Sequence, residues 1–180
     1  MKERAHARGA AVEEVVQFLR KVPPFQFLED QPLREVARVV ALEYYPTGAL
    51  ILEQNGPPSE NLLVIKKGGA KIFIRSDENV ETLVDYRAEG DIIGFLSLYT
   101  GDRSRTNVVA TSDTICYLID KPDFRRLLDA NPQIREYLHR TFLSKYLDKT
   151  LHEMRTRSIL VGGGERLLVR GVLAGFGPLR

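Results

Sequence analysis

The chain has little of what would give it chemistry of its own. Its single cysteine, Cys116, excludes an intramolecular disulfide, and its place inside an apolar strand-like run reads as a buried small hydrophobe. The three histidines, His6, His139 and His152, all fall outside the segments that read as strands, so a metal site of clustered His and carboxylate cannot be assembled there. No Ser/His/Asp constellation and no reactive-cysteine setting is present, and an enzyme is not expected. Charge of one sign is also lacking. Lys plus Arg number 26 against 24 Asp plus Glu, which requires neither a nucleic-acid nor a membrane partner. No apolar run reaches the roughly 18 residues of a membrane span, and MKERAHARGAAVEE is charged where a signal peptide would be hydrophobic. A reducing, cytoplasmic setting is the expectation.

What the chain does have is a change of periodicity, twice. Its 180 residues, 43% of them hydrophobic, suit one ordinary domain with extra helices. Apolar residues at Val12, Val15, Val16 and Leu19 predict a helix from Ala10 to Lys21, stopped by Pro23-Pro24. Pro32 at a first turn, with Leu33, Val36, Ala37 and Val40 on one face, predicts a second helix to about Ala41, with Phe25, Phe27 and Leu28 tucked between these helices and the β region after them.

From 42 to 119 the period shortens to strands punctuated by Gly and Pro: Leu42 to Tyr45, Leu50 to Glu53, Leu62 to Lys66, Ala70 to Arg75, Thr82 to Arg87, Arg105 to Thr111 and Thr114 to Ile119, with a hairpin tip at Ser76 to Asn79. Such spacing predicts a mainly β fold with flanking α, an antiparallel jelly-roll barrel with N-terminal helices. Helical period then returns. Asp120 reads as an N-cap, Phe124, Leu127 and Leu128 share a face, and Asn131-Pro132 opens a long C-terminal helix to about Arg157. The expected layout is helices over 10–41, a barrel over 42–119, closing helices over 121–157, and a Gly-rich linker or tail over 158–180. The region 121–157 is mildly basic, nine basic against five acidic residues, which a solvated face explains. Along the long helix Leu138, Phe142, Leu147, Leu151 and Met154 form a stripe that either self-associates or packs back on the barrel.

One stretch, Glu89 to Ala110, reads as a ligand cradle. Gly90-Asp91 is turn chemistry, and Gly94 frees the backbone ahead of a one- or two-turn helix at Phe95 to Tyr99. Arg103 and Arg105 arrive from the other side, completing the parts of a pocket for a phosphate or carboxylate. The alternative is a bend in β-structure beside two solvated arginines.

With these elements in place the chain resembles a cyclic-nucleotide-binding domain over about 15 to 155. The resemblance is carried by P-x-G-x-x-I at Pro46 to Ile51, by Gly56, Gly68, Gly90-Asp91 and Gly94, by TNVVA, and by CYLIDKPDF. FLRKVPPFQFL, EQNGPPSENLLVIKKG and DTICYLIDKPDF are most similar to the N-terminal sensory domain of bacterial signal-transduction proteins that continue into CBS repeats and a putative nucleotidyltransferase. The resemblance implies a phosphate-binding cassette at Gly94 to Ala110, a closing helix that dimerises, downstream CBS and nucleotidyltransferase domains, and cAMP, cGMP or another small phosphate as ligand. It points to Gly94, Phe95, Leu96, Ser97, Arg103, Ser104, Arg105 and Thr106 as site residues.

Two positions depart from the family pattern. Binders of this family place a Glu directly after the cassette Gly and an Arg six residues before its last Ala; this chain has Phe95 and Ser104 there. Arg103 and Arg105 flank the second position, but on a strand a one-residue offset turns the side chain to the other face, so rescue needs a bulge or a loop shift. Ser97, Ser104 and Thr106 remain as neutral hydrogen-bonding groups for an anion. The expected function is a regulatory ligand-sensing module with a degenerate cassette that controls a downstream domain. The alternatives are a fragment of a catabolite-activator-like regulator that binds cAMP, and a dimerisation module with no ligand. The former needs a winged helix-turn-helix for which the Gly-rich residues after Arg157 are poorly suited.

Overall fold

The computed structural model describes residues 2–143. A first helix, α1 (Lys2–Leu19), a single 3-10 turn at Phe25–Phe27 and α2 (Asp30–Val39) precede the β region. Eight strands follow: β1 (Ala41–Tyr45), β2 (Leu50–Leu52), β3 (Asn61–Lys67), β4 (Ala70–Arg75), β5 (Glu81–Arg87), β6 (Ile92–Ile93), β7 (Asn107–Ala110) and β8 (Thr114–Asp120). The short helix α3 (Phe95–Thr100) is inserted between β6 and β7, and α4 (Lys121–Ala130) and α5 (Pro132–Leu138) come after β8. The strands form two antiparallel sheets in the orders β1-β8-β3-β6 and β2-β7-β4-β5, the jelly-roll barrel with flanking helices that the spacing predicts.

The two sheets meet on a core of Leu63, Ile65, Ile93 and Cys116 from one and Ala70 and Val108 from the other. Pairing of Ile65 with Cys116 and of Ile72 with Val108 sets which side chains face inward. The run Leu62 to Ile65 is buried at every position rather than alternately, because its sheet is covered on both faces. Val64 pairs with Tyr117, and Phe18 of α1 meets the Tyr117 ring edge-on with centroids 5.5 Å apart. The Lys66 ammonium lies 5.3 Å from the same ring and 2.5 Å from Glu14. Further ion pairs, Glu13 with Arg34 and Asp30 with Arg20, tie α1 to α2. All are solvent-accessible pairs, so burial of Val16, Leu19, Phe25 and Leu33 outweighs them in holding the helices. By contrast β5, at a sheet edge, leaves Glu81 through Tyr86 exposed.

Several boundaries differ from expectation. The first helix starts near Lys2, and Ala41 belongs to β1 rather than to the second helix. Phe25 and Leu28 are buried, but Phe27 is 45% exposed and touches the Tyr137 ring. Ile92–Ile93 forms a strand of its own against Leu63 and Val64. Strand β7 starts at Asn107, not Arg105, because the chain from Gly101 is still turning there. Asp120 caps α4 by accepting from the Asp123 amide at 2.8 Å, worth about 1 kcal/mol for such a cap. The α-helix opened by Pro132 ends at Leu138 and continues as a π-helical stretch, His139–Leu143. The chain divides into two compact units, 1–139 and 140–180. The expected continuation of the long helix over 144–157 and the expected tail over 158–180 lie outside the described residues, as do Leu147, Leu151 and Met154.

Candidate cassette site

The site is built where β6 turns into α3. Gly94 has φ of +85°, a left-handed conformation that a side chain rarely adopts. A Cβ there would also stand 3.0 Å from Ser59 Oγ and 3.2 Å from the Asn61 carbonyl. The backbone can therefore pass close to the β2–β3 loop only as glycine. Gly101, at φ +77°, ends α3 in the same left-handed manner.

Close approach lets the β2–β3 loop and the cassette bond to each other. Ser97 Oγ accepts from the Ser59 amide at 2.8 Å and donates to the Asp102 carbonyl at 2.8 Å. The Asn55 amide donates to the Ser104 carbonyl at 2.7 Å, and Arg103 Nη1 donates to the Asn55 carbonyl at 2.6 Å. One step along, the Gln54 amide donates to Asn107 Oδ1 at 3.0 Å, and Asn107 Nδ2 returns a bond to Gln54 Oε1 at 3.2 Å. Ser104 is buried, its hydroxyl donating to the Thr106 carbonyl at 2.8 Å. The hydroxyl protons of Ser97 and Ser104 thus go to backbone carbonyls of the cassette itself.

Phe95 turns away from this loop. It is 2% exposed, stacks on Tyr99 with centroids 5.5 Å apart, and meets Phe124 of α4 edge-on at 6.1 Å. Tyr99 in turn places its hydroxyl 2.6 Å from His139 Nε2, with the two rings steeply inclined and 4.9 Å apart. Burial first, and then the neighbouring Arg135 charge, hold His139 below the ordinary histidine value.

The eight residues expected at a site thus fall into three groups. Gly94, Ser97, Ser104 and Thr106 shape the cassette backbone, while Phe95 packs toward the helices and Leu96 is half-buried on α3. Arg103 and Arg105 are exposed on the loop before β7. Neither is a strand residue, so strand alternation does not fix which way they point. Residues the sequence did not flag are Gln54, Asn55, Ser59 and Asn107, which stitch the loop, and Tyr99 and His139, which join α3 to the end of α5. Their partners lie about forty residues or more away in the chain, beyond the reach of any local pattern. Among the described residues no group of His, Cys, Asp and Glu could hold a metal ion, and no helix is long and apolar enough to cross a membrane.

Comparison with known proteins agrees with this architecture. The family model of the cyclic nucleotide-binding domain matches residues 42–131. A cGMP-dependent protein kinase, isozyme 1, of Drosophila melanogaster is 28% identical over 128 residues, covering 69% of this chain and 16% of the kinase. The cAMP-activated global transcriptional regulator CRP of Salmonella typhimurium is 33% identical over 92 residues, covering 50% of this chain and 43% of the regulator. The regulatory subunit of a cAMP-independent protein kinase A from Trypanosoma brucei superposes with a TM-score of 0.68 at 20% identity, covering 81% of this chain and 53% of that one, a likeness of fold alone. The chain spans less than half the length of either of these two curated relatives. With the strand order of a jelly roll, a glycine-opened cassette between β6 and β7, and a family match over half its length, this chain belongs to the cyclic nucleotide-binding domain family.

Proposed function

We propose that this domain is a regulatory ligand-sensing module with a degenerate cassette, one that takes a small phosphate-bearing anion weakly and binds cAMP and cGMP poorly. The observation that carries the reading is the placement of Phe95 and Ser104. The residue after Gly94 is an apolar ring spent on Phe124 and Tyr99, and the position where the family has its arginine is a buried serine bonded to its own turn. Neither offers a charge to a ligand. A charge-assisted bond is roughly twice as strong as a neutral one, and a buried polar group left without its partner costs about 1–3 kcal/mol, so two missing charges lower affinity by orders of magnitude. The Trypanosoma brucei relative, described as cAMP-independent, offers a precedent for the fold without that dependence.

Arg103 and Arg105 are the cations at hand for an anion. Arg103, a loop residue outside strand alternation, would exchange the Asn55 carbonyl for the ligand. Downstream, the reading extends to CBS and nucleotidyltransferase domains under control of the sensor, and to a homodimer through the later part of the sequence stripe, Phe142, Leu147, Leu151 and Met154, since its first member, Leu138, is fully buried within this chain. Replacing Leu147→Glu and Leu151→Glu together should give a folded monomer by light scattering. A wild-type monomer at tens of micromolar, an order-of-magnitude choice bracketing micromolar affinity, would remove the dimer from the account. The ligand reading is tested by melting temperature in a phosphate series. Phosphate raises melting generally by exclusion, so the quantity compared is the rise in wild type minus the rise in the double variant Arg103→Ala, Arg105→Ala. A larger rise in wild type is expected; equal rises would place the anion elsewhere.

A further inference from the structure

Strand β5 ends its sheet, with β4 on one side and, among the described residues, no strand on the other. The run Val80 to Arg87 is rich in β-branched and aromatic residues, and Val80, Leu83, Val84 and Tyr86 stand 44% to 59% exposed. An open edge of this composition is a template on which another chain can pair. Whether it can be used depends on the backbone groups that face outward.

The pairing identifies those groups. The Thr111 amide donates to the Gly69 carbonyl at 2.9 Å, and Thr111 follows Ala110, the partner of Ala70. In an antiparallel ladder successive residues of a strand bond to opposite sides. Gly69 and Lys71 therefore turn their backbone groups to β7, while Ala70 and Ile72 turn theirs to β5, opposite Arg87 and Asp85. Tyr86, between those two, turns its N–H and C=O away from β4. Both groups are taken by its own neighbours. The Tyr86 amide donates to Asp85 Oδ1 at 2.8 Å, and Arg87 Nη1 donates to the Tyr86 carbonyl at 3.3 Å. The same nitrogen holds Asp85 Oδ2 at 2.6 Å, so the two side chains close over the backbone as one clip. Midway along the strand, Ile72 pairs with Asp85 and Phe73 with Leu83, which leaves Val84 without a partner on β4. That bulge interrupts the edge as well.

We infer that Asp85 and Arg87 are edge guards, whose clip over Tyr86 keeps β5 from accepting a strand from a second copy of this chain. A second copy is the partner this edge fits. It carries the same strand, and in an antiparallel pair the acidic Glu81 end of one lies toward the basic Arg87 end of the other. Pairing would also remove part of the exposed Leu83, Val84 and Tyr86 surface from water. The bulge weakens such pairing, and the clip occupies the groups it needs. Because the clip involves neither the cassette nor the sequence stripe after α5, it stands or falls separately from the ligand reading and from dimerisation through that stripe.

The test uses the full chain as wild type, Asp85→Ala and Arg87→Ala, each with and without Leu83→Lys, which sets a charge on the same edge. Amide exchange at Tyr86, corrected for intrinsic rates, is read in dilute protein. Mass is then followed by sedimentation velocity as protein is raised about a hundredfold, enough to cross a micromolar affinity. In dilute Asp85→Ala the Tyr86 amide should exchange about tenfold faster than in wild type, the factor that one ordinary hydrogen bond is worth. At higher concentration both single variants should gain mass beyond wild type, Tyr86 protection should return, and Leu83→Lys should cancel both changes. Comparison with wild type at equal concentration removes any pairing elsewhere on the chain. If Asp85→Ala does not fold, the mass of Arg87→Ala decides alone. The inference is overturned by an unchanged Tyr86 rate in dilute Asp85→Ala, by a folded single variant whose mass follows wild type, or by a gain in mass that Leu83→Lys leaves in place.

Discussion

Replacing Phe95 by alanine asks directly which way this side chain faces. If it lies under α4 as described, the substitution removes a ring that is 2% exposed and leaves a hole between Tyr99 and Phe124. A buried Phe→Ala change costs about 3–5 kcal/mol, of which each lost aromatic pairing accounts for about 0.5–1.5. Against a total stability of about 5–15 kcal/mol for a domain, that is a large fraction. Were the ring pointing into an open ligand pocket, it would have been largely solvated, and truncation would cost about 0.5 kcal/mol or less, as surface changes do. Urea unfolding followed by circular dichroism separates the two, with the slope checked to confirm that only the midpoint moved. Phe95→Leu, which keeps most of the apolar volume, should fall between wild type and Phe95→Ala. A loss under about 1 kcal/mol in Phe95→Ala would refute the packing argument, and with it the claim that the chain gave up a ligand contact for a helix contact.

Ser97→Ala should destabilise by about 1–3 kcal/mol, because it strands the Ser59 amide and the Asp102 carbonyl inside the cassette; urea unfolding that shows no loss would mean water replaces the hydroxyl. Cys116 should resist alkylation in the native protein up to mildly alkaline pH, since burial, with Glu43 adding to it, pushes its thiol up to about 12; mass spectrometry after iodoacetamide treatment, with and without denaturant, reads this out.

Much of the fold was legible because its punctuation is local. The strand Ala70–Arg75 is bounded by Gly68-Gly69 on one side and by the Ser76 to Asn79 tip on the other, and it occupies the expected residues. The cap at Asp120 carries its own signature in Asp-x-Pro followed by an amphipathic run. Where punctuation is missing, boundaries move. Two residues at Ile92–Ile93 are too few to show alternation, yet tertiary pairing with Leu63 and Val64 makes them a strand. Nothing in His139-Arg140-Thr141-Phe142 distinguishes π from α spacing.

The site was legible at its glycines and not at its side chains. Gly94 announced a backbone requirement that the left-handed conformation and the closeness of Ser59 explain. An apolar residue after it, however, reads the same whether it faces a ligand or a helix. Only the position of Phe124 decides. Likewise strand alternation separates Arg103 and Arg105 from the Ser104 position only where all three lie on a strand, and β7 begins at Asn107, leaving both arginines in the loop.

Isothermal titration calorimetry with cAMP and with cGMP tests the central claim most directly, because it asks whether a cassette with Phe95 and Ser104 in these places can hold a cyclic phosphate and its ribose. The account predicts dissociation constants weaker than about 1 μM for both nucleotides, that is, less than about 8 kcal/mol of binding free energy. A submicromolar constant for either would contradict it.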